Sequence, residues 1–305
     1  MRILVLGGNG FIGSHVVDAL LGAGHKVRVF DRGPEKFRAP LQNVDYRIAS
    51  FTDFPALAEA LEEIDVVFHF ISTTVPSTSN LDPIGDIEGN LITTVKLLQL
   101  MVQKDVRRIV YLSSGGTVYG IPKQVPIPVT HPLIPICSYG VVKLAIENYL
   151  LMFKSLHGIE PLIFRVSNPY GERQGHQGIQ GAVGTFLQRA LHGEPVVIWG
   201  DGSVVRDFIY VGDLANICLQ AVNGISGIYN VGSGSGASIK QVLECVEIAT
   251  GMELQVEYKT SRNFDIPQVV LDVSDTKNHF QWNPDVDLLQ GIKRTWSWVK
   301  DNNVK

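Results

Sequence analysis

Tyr139 and Lys143 stand four residues apart in SYGVVK, a spacing that puts both side chains on one face of a helix. A phenol with an ordinary pKa of about 10 is a poor acid or base near neutrality, but a neighbouring ammonium and a bound nicotinamide cation favour its ionised form. The pair therefore suits a proton-transfer tyrosine beside a ribose-binding lysine. The same spacing also occurs by chance on surface helices, so its meaning depends on what accompanies it. GGNGFIG places Gly7, Gly10 and Gly13 between the first apolar run and the segment after it. Side chains at those positions would block a tight turn, the approach of backbone to a pyrophosphate, and helix-to-strand packing. Eighteen residues beyond Gly13, Asp31 closes KVRVFD, where a carboxylate can accept hydrogen bonds from ribose hydroxyls. Asp31 repels a 2′-phosphate and so favours NAD over NADP, whereas Arg32 beside it is the group that would pair with that phosphate. A steric glycine turn and a solvated Asp-Arg pair are the plainer alternatives.

These residues need a scaffold, and the chain supplies an alternation. RILVLGG, KVRVFDR, DVVFHFIS, RRIVYLSS and EPLIFRVSN are short apolar runs, separated by longer helix-like stretches such as FIGSHVVDALLGAG, FPALAEALEEI, NLITTVKLLQLMVQKD and SYGVVKLAIENYLLMFKSLHG. Strands apolar on both faces belong in the middle of a sheet covered by helices on both sides. The expected fold is α/β: a Rossmann-type doubly wound parallel sheet over residues 1–168, and a smaller C-terminal α/β substrate lobe over 169–305, with some chain exchange between them. The second part opens with the Gly- and Gln-rich YGERQGHQGIQGAVG and ends in the helix-like LLQGIKRTWSWVKDN.

Composition narrows the function classes. The 305 residues are 45% hydrophobic, enough for one large core and a second lobe. The formal charge of −4 and the scattered 26 basic residues offer no stripe for a phosphate backbone, so nucleic acid is not an expected partner. Cys137, Cys218 and Cys245 are far apart and fit reduced thiols packed in a core. His15, His25, His69 and His131 lack metal spacing and read as structural or solvated; no metal is expected. The apolar run in MRILVLGG is too short for a signal peptide or anchor, so a soluble cytoplasmic protein with no membrane partner is expected.

Several motifs in order, GGNGFIG, SSGGTVYG, SYGVVK, RVSNPYG, GDGSVVRDFIYVGDLA, YNVGSGSGASI and SRNFDIP, carry a resemblance across nearly the whole chain. The sequence resembles the extended short-chain dehydrogenases/reductases, and within them the nucleotide-sugar 4-epimerases of the UDP-galactose 4-epimerase type. The resemblance implies NAD as cofactor, held by Gly7, Gly10, Phe11, Ile12, Gly13, Asp31, Arg32, Phe70, Tyr139 and Lys143. It implies a UDP-hexose substrate, UDP-Glc/UDP-Gal and also UDP-GlcNAc/UDP-GalNAc. Tyr139 takes the 4-hydroxyl proton, hydride leaves C4 for NAD, and the 4-keto sugar turns before hydride returns to its other face. Asn168, Arg206, Arg262 and Asp265 match positions that grip the substrate diphosphate and ribose. Val269 matches a pocket wall where a small residue accompanies acceptance of N-acetylated sugars. A homodimer through the helices beginning near Asn90 and Tyr139 is also implied. Leu91, Val95, Leu98, Ile146 and Phe153 are its apolar candidates, although all five serve equally as core.

The chain departs from the family at three places. Gly115 stands where relatives carry a hydroxyl that bonds the reacting oxygen and the tyrosine. Thr117 shares the expected face if the strand continues, Ser114 replaces it if the glycines turn the chain, and Tyr139 acts with water alone if neither does. Ser50 in ASFTD stands where an acid commonly holds adenine, with Asp53 nearby, and STTVPSTSNLDP replaces a small-residue turn. No carboxylate lies between Leu112 and Val118, which argues against the dehydratases and decarboxylases that resemble this group. A 4-ketoreductase of a deoxysugar pathway and a catalytically silent dinucleotide binder are the alternative readings.

Overall fold

A computed structural model describes residues 1–174, 181–260 and 266–302. In chain order its first elements are β1 (Arg2–Leu6), α1 (Phe11–Gly22), β2 (Lys26–Asp31), β3 (Val44–Ile48), α2 (Phe54–Ala60) and β4 (Val66–His69). Then come α3 (Pro83–Asp86), a π-helical stretch at Ile87–Ile92, α4 (Thr93–Gln103), β5 (Arg108–Ser114), α5 (Ser138–His157) and β6 (Glu160–Val166). The chain continues through β7 (Asn168–Tyr170), α6 (Ala182–His192), β8 (Val196–Trp199), β9 (Val205–Tyr210), α7 (Val211–Ala221) and β10 (Gly227–Val231). It ends with β11 (Gly236–Ser238), α8 (Ile239–Thr250), β12 (Val256–Lys259), β13 (Gln268–Val269), α9 (Ser274–Phe280) and α10 (Leu288–Asn302).

Seven strands form one sheet in the order β10-β6-β5-β4-β1-β2-β3, and the pairings of β1 with β2 and β4, β2 with β3, and β4 with β5 are parallel. All four residues of β4, and Ile3 to Leu6 of β1, are buried, as strands covered on both faces must be. Leu4, Leu6, Phe30, Val67, Ile109 and Tyr111 meet helix residues Leu97, Leu98, Ile146, Leu150 and Phe153 in the core. Each such aliphatic side chain contributes about 1.5–3 kcal/mol of burial. Leu98, Ile146 and Phe153 are therefore core. Exposed apolar side chains lie on α3 and the π-helical stretch, Ile84, Ile87 and Ile92, and on another face of α5, Val141, Tyr149 and Met152.

The chain separates into two compact units: Met1–Gly120 with Pro132–Arg165 and Ala215–Tyr229, and Ile121–His131 with Val166–Leu214 and Asn230–Lys305. In the second, β9 pairs with β11, β13 and β7, and β12 pairs with β8. The helix α8 in that unit starts at a reciprocal cap in which Ser238 and Gln241 bond each other's backbone N–H groups. Cys218 is buried in the core as expected, while Cys137, where α5 begins, and Cys245 are only half-buried.

Candidate active site

In the sheet of the first unit, the strand order reverses between β4 and β1, the place where open α/β sheets bind ligands beyond their strand ends. The loop after β1 is built for close approach there. Gly7 has φ of +83°, and a Cβ on Gly13 would sit 2.1 Å from the Gly7 carbonyl oxygen, which excludes any side chain. Gly10 caps α1 without a side-chain hydrogen bond, and no acid occupies the first turn, so the helix presents its N–H groups and positive end outward. Phe11 and Ile12 open that helix half-buried. Phe70, just past β4, places its backbone carbonyl carbon 3.3 Å from where a Gly7 Cβ would be.

Asp31 ends β2, and its carboxylate accepts from the Asn9 N–H at 3.1 Å and the Gly33 N–H at 3.3 Å. Asn9 gives its side-chain amide to the Gly33 carbonyl at 2.8 Å, while its own Oδ1 is buried without a hydrogen-bond partner. A glycine cradle, an uncapped helix start, a carboxylate at the next strand end and an orphaned acceptor fit a dinucleotide. Arg32 is exposed. Asp53 is taken up by α2, whose Ala56 N–H it caps at 3.1 Å, and Ser50 bonds Thr52.

Tyr139 and Lys143 occupy the first turns of α5, and Glu147 follows one turn later on the same stripe. Cys137 provides no side-chain cap for this helix. The caps come from the segment after β4: Asn80 Oδ1 accepts from the Ser138 N–H at 2.8 Å, and Ser79 Oγ accepts from the Tyr139 N–H at 3.0 Å. Asp86, fully buried at the end of α3, accepts from the hydroxyls of Ser138 at 2.8 Å and Thr74 at 2.6 Å and from the Asn90 amide at 2.9 Å. The π-helical stretch carries Asn90, whose Oδ1 holds the Thr73 N–H at 2.8 Å. The segment STTVPSTSNLDP thus fastens the start of the tyrosine helix. In the letters it is only a departure, because its partners on the tyrosine helix lie 58 and 60 residues away.

Burial pushes the phenol of half-buried Tyr139 up to about 12, with the neighbouring Ser72 hydroxyl working against that rise and Cys137 and Asp86 adding to it. The Lys143 ammonium lies 5.5 Å from the Tyr139 ring centre and 4.9 Å from that of Tyr111, and donates to the Leu112 carbonyl at 2.9 Å. Burial lowers the ammonium to about 8, with Asp86 and Glu147 pulling it back up. Burial thus opposes ionisation of the phenol, and a nearby positive charge favours it.

At the strand end, β5 stops at Ser114 and the chain turns, with the Thr117 and Val118 N–H groups both directed to the Ser114 carbonyl. The extended face that would have selected Thr117 does not exist. Thr117 nevertheless has a buried Oγ1 without a partner, and its backbone lies against the helix start: a Cβ on Gly140 would meet the Thr117 carbonyl oxygen at 2.9 Å. Ser114 is half-buried at the turn. Ser113 donates to Glu147, which pairs with Arg165 at 2.7 Å with both side chains at most 3% exposed. His69 is buried, bonds Thr94 at 2.9 Å and is kept neutral by burial, near 3.

The second unit, taken by itself, holds three expected residues. Asn168 gives its amide to the Asp207 carbonyl at 2.9 Å, and Arg206 gives Nη1 to the carbonyls of Val205 and Ile266 at 2.9 and 2.7 Å. Val269 is buried on β13, in register with Arg206 on β9. Asp207 turns inward and accepts from Ser233, Gly234 and Leu271, so the adjacent acid has its own structural task. Arg262 and Asp265 lie outside the described residues. Among the described residues no group of three His, Cys, Asp or Glu side chains could hold a metal, and no helix is long and apolar enough to cross a membrane.

A dinucleotide cradle beyond β1 and a Tyr-Lys stripe beyond β5 on one parallel sheet define a short-chain dehydrogenase/reductase type of enzyme. Residues 3–232 match the NAD dependent epimerase/dehydratase family, and the chain belongs to it. It is similar to the UDP-glucose 4-epimerase of Halalkalibacterium halodurans, 33% identical across 99% of this chain and 96% of that one. Among solved structures it resembles the UDP-glucose 4-epimerase of Thermotoga maritima with UDP-glucose, at 34% identity, TM-score 0.94 and 99% coverage of both chains. It also resembles the Thermus thermophilus UDP-glucose 4-epimerase in complex with NAD, at 34% identity, TM-score 0.92, and 98% and 99% coverage.

Proposed function

We propose that this protein is an NAD-dependent UDP-hexose 4-epimerase that interconverts UDP-glucose and UDP-galactose. The observation that carries the reading is half-buried Tyr139, one helical turn from buried Lys143, in the same unit as the glycine cradle. Gly7, Gly10, Phe11, Ile12 and Gly13 would hold the NAD diphosphate end, Asp31 its ribose, and Phe70 and Lys143 the nicotinamide half. Bound there, NAD supplies a reversible hydride acceptor for C4 of the hexose. Tyr139 takes the proton of the 4-hydroxyl and returns it after the sugar has turned. Lys143 stabilises the charge on the phenol, and Thr117, or Ser114 beside it, offers a hydroxyl to the reacting oxygen.

Asn168, Arg206, Arg262 and Asp265 would grip the diphosphate and uridine, leaving the hexose free to rotate. Val269 leaves room for an N-acetyl group, which extends the substrates to UDP-GlcNAc and UDP-GalNAc. A homodimer through the exposed Ile84, Ile87, Ile92, Val141, Tyr149 and Met152 belongs to the same reading; light scattering after gel filtration tests it.

The deciding experiment incubates purified protein with UDP-glucose and follows the anomeric protons by NMR. Formation of UDP-galactose up to the equilibrium ratio is expected, with no net consumption of reduced cofactor. An unchanged spectrum with NAD supplied overturns the epimerase reading, and stoichiometric oxidation of NADH with a 4-keto sugar would replace it with a ketoreductase.

A further inference from the structure

Lys143 is buried, yet among the described residues it forms no ion pair. We infer that the ring of Tyr111, on β5, is a positioning group of the site, whose face holds the Lys143 ammonium and keeps it charged beside Tyr139. The inference rests on the role given to Lys143 above.

Four observations carry it. The ammonium lies over the Tyr111 ring, 4.9 Å from its centre, inside the roughly 6 Å within which a cation is attracted to an electron-rich ring face. Leu112, the next residue of the strand, accepts one N–H of the ammonium at 2.9 Å, so consecutive positions of β5 supply a ring and a carbonyl to the same charge. A ring face attracts charge without being a directional acceptor, which leaves the other N–H groups for hydroxyls that a ligand brings in. The carboxylates that act on Lys143 are committed elsewhere: Glu147 pairs with Arg165 at 2.7 Å, and Asp86 accepts from Ser138, Thr74 and Asn90. Finally, His69 does not compete for the ring as a second cation. It is in register with Tyr111 on β4, with ring centres 5.4 Å apart, and burial keeps it neutral.

The Tyr111 hydroxyl has no such task, since it is buried without a hydrogen-bond partner and burial keeps it protonated. The titratable groups around the ammonium are thus Tyr111 from β5, His69 from β4, Asp86 from α3, and Tyr139 and Glu147 from its own helix. Tyr139 offers the second ring, with its centre at 5.5 Å, so one reacting and one non-reacting phenol share the ammonium.

The test follows lysine ionisation by NMR in full-length protein labelled with 13C at the lysine Cε, and the Lys143 signal is the one lost in Lys143→Met. Position 111 carries tyrosine, phenylalanine, or phenylalanine with one, two or three ring fluorines, which drain charge from the ring face and barely change its size. Losing a favourable contact with the charged form lowers the pKa of a base. The Lys143 midpoint should therefore stay in place in Tyr111→Phe, fall by about 0.3 pH unit with each fluorine, and fall by about one unit in Tyr111→Leu. Phe164, buried on the adjacent strand β6, takes the trifluorinated residue as a control and should leave the midpoint where it is. A midpoint indifferent to fluorine overturns the inference even if Tyr111→Leu moves it, because the ring would then only fill space. A shift in Tyr111→Phe that fluorine does not extend also overturns it, by giving the role to the hydroxyl. With UDP-glucose, the alkaline limb of the kcat profile should move down in pH with the midpoint. The titration needs no substrate, so its outcome stands apart from whether UDP-glucose is turned over.

Discussion

Gly140 separates two requirements that usually coincide, stability and activity. It follows Tyr139 in the first turn of α5, and an alanine Cβ there would lie 2.9 Å from both the Thr117 carbonyl oxygen and the Pro135 Cβ, and 3.2 Å from the Thr117 Cβ. Ordinary contact begins at 3.4 Å, so the Thr117 turn must retreat by 3.4 − 2.9 = 0.5 Å. Alanine gains about 0.5–1 kcal/mol over glycine inside a helix, while overfilling a packed site costs about 1–3 kcal/mol. Gly140→Ala should accordingly lose only about 0–2.5 kcal/mol of stability. The effect on rate should be larger in proportion, since a displacement of about 1 Å at a reacting group costs about a hundredfold and half of that about tenfold. Initial rates of UDP-glucose formation from UDP-galactose, with urea unfolding of the same samples, should show kcat about tenfold lower and KM nearly unchanged. Wild-type kcat in a properly folded Gly140→Ala protein would show that the Thr117 turn has no part in positioning the reacting groups.

Gly22→Ala is the matching contrast: a Cβ there meets nothing within 4 Å, so the variant should gain about 0.5–1 kcal/mol in urea unfolding with kcat unchanged. Lys143 gives a pH signature. Its folded pKa is near 8 against 10.5 for the free side chain, so between those values the unfolded chain binds more protons and stability should rise with pH. Wild type minus Lys143→Met should show this rise, up to about 3 kcal/mol across the window, and parallel curves would refute it. Asp31→Ala removes the acceptor of two loop N–H groups and should weaken NAD about 10–100-fold in calorimetric titration, narrowing the preference over NADP. Glu147→Leu takes the counter-ion from buried Arg165 and should cost about 3–5 kcal/mol, most of it recovered in Glu147→Leu/Arg165→Met; a double variant as unstable as the single one would contradict this.

What could be read from the sequence was what is local. Gly10 and Gly13 are limited by the backbone of Gly7 and Gly8 within the same turn, and the Tyr139–Lys143 stripe by helix geometry, so type and spacing suffice to place both. At the strand end the letters leave two cases open, an extended chain that presents Thr117 or a turn at the glycines that brings in Ser114, and the chain turns at Ser114. The capping by Ser79 and Asn80, and the buried Asp86 beneath Ser138, depend on pairing across more than fifty residues and leave no periodic trace. The upward pull on the Tyr139 phenol is equally invisible in the letters: desolvation is set by the whole surroundings, while a nearby lysine shows in the spacing.

The π-helical stretch between α3 and α4 makes the site sensitive to counting. Residues in an α-helix advance by about 100°, so accommodating one extra residue in a turn changes the phase of everything upstream by about that angle. Asp86 and the chain before it sit upstream of Ile87–Ile92, and Thr94, which holds His69, sits downstream. Deleting a single residue between 87 and 92 would restore a regular helix and rotate Asp86 away from Ser138, with Ser79 and Asn80 carried along. Substitutions in this stretch alter one contact at a time, whereas a change of length dephases the whole strap. Insertions and deletions here, rather than replacements, are the changes against which the tyrosine helix has no defence.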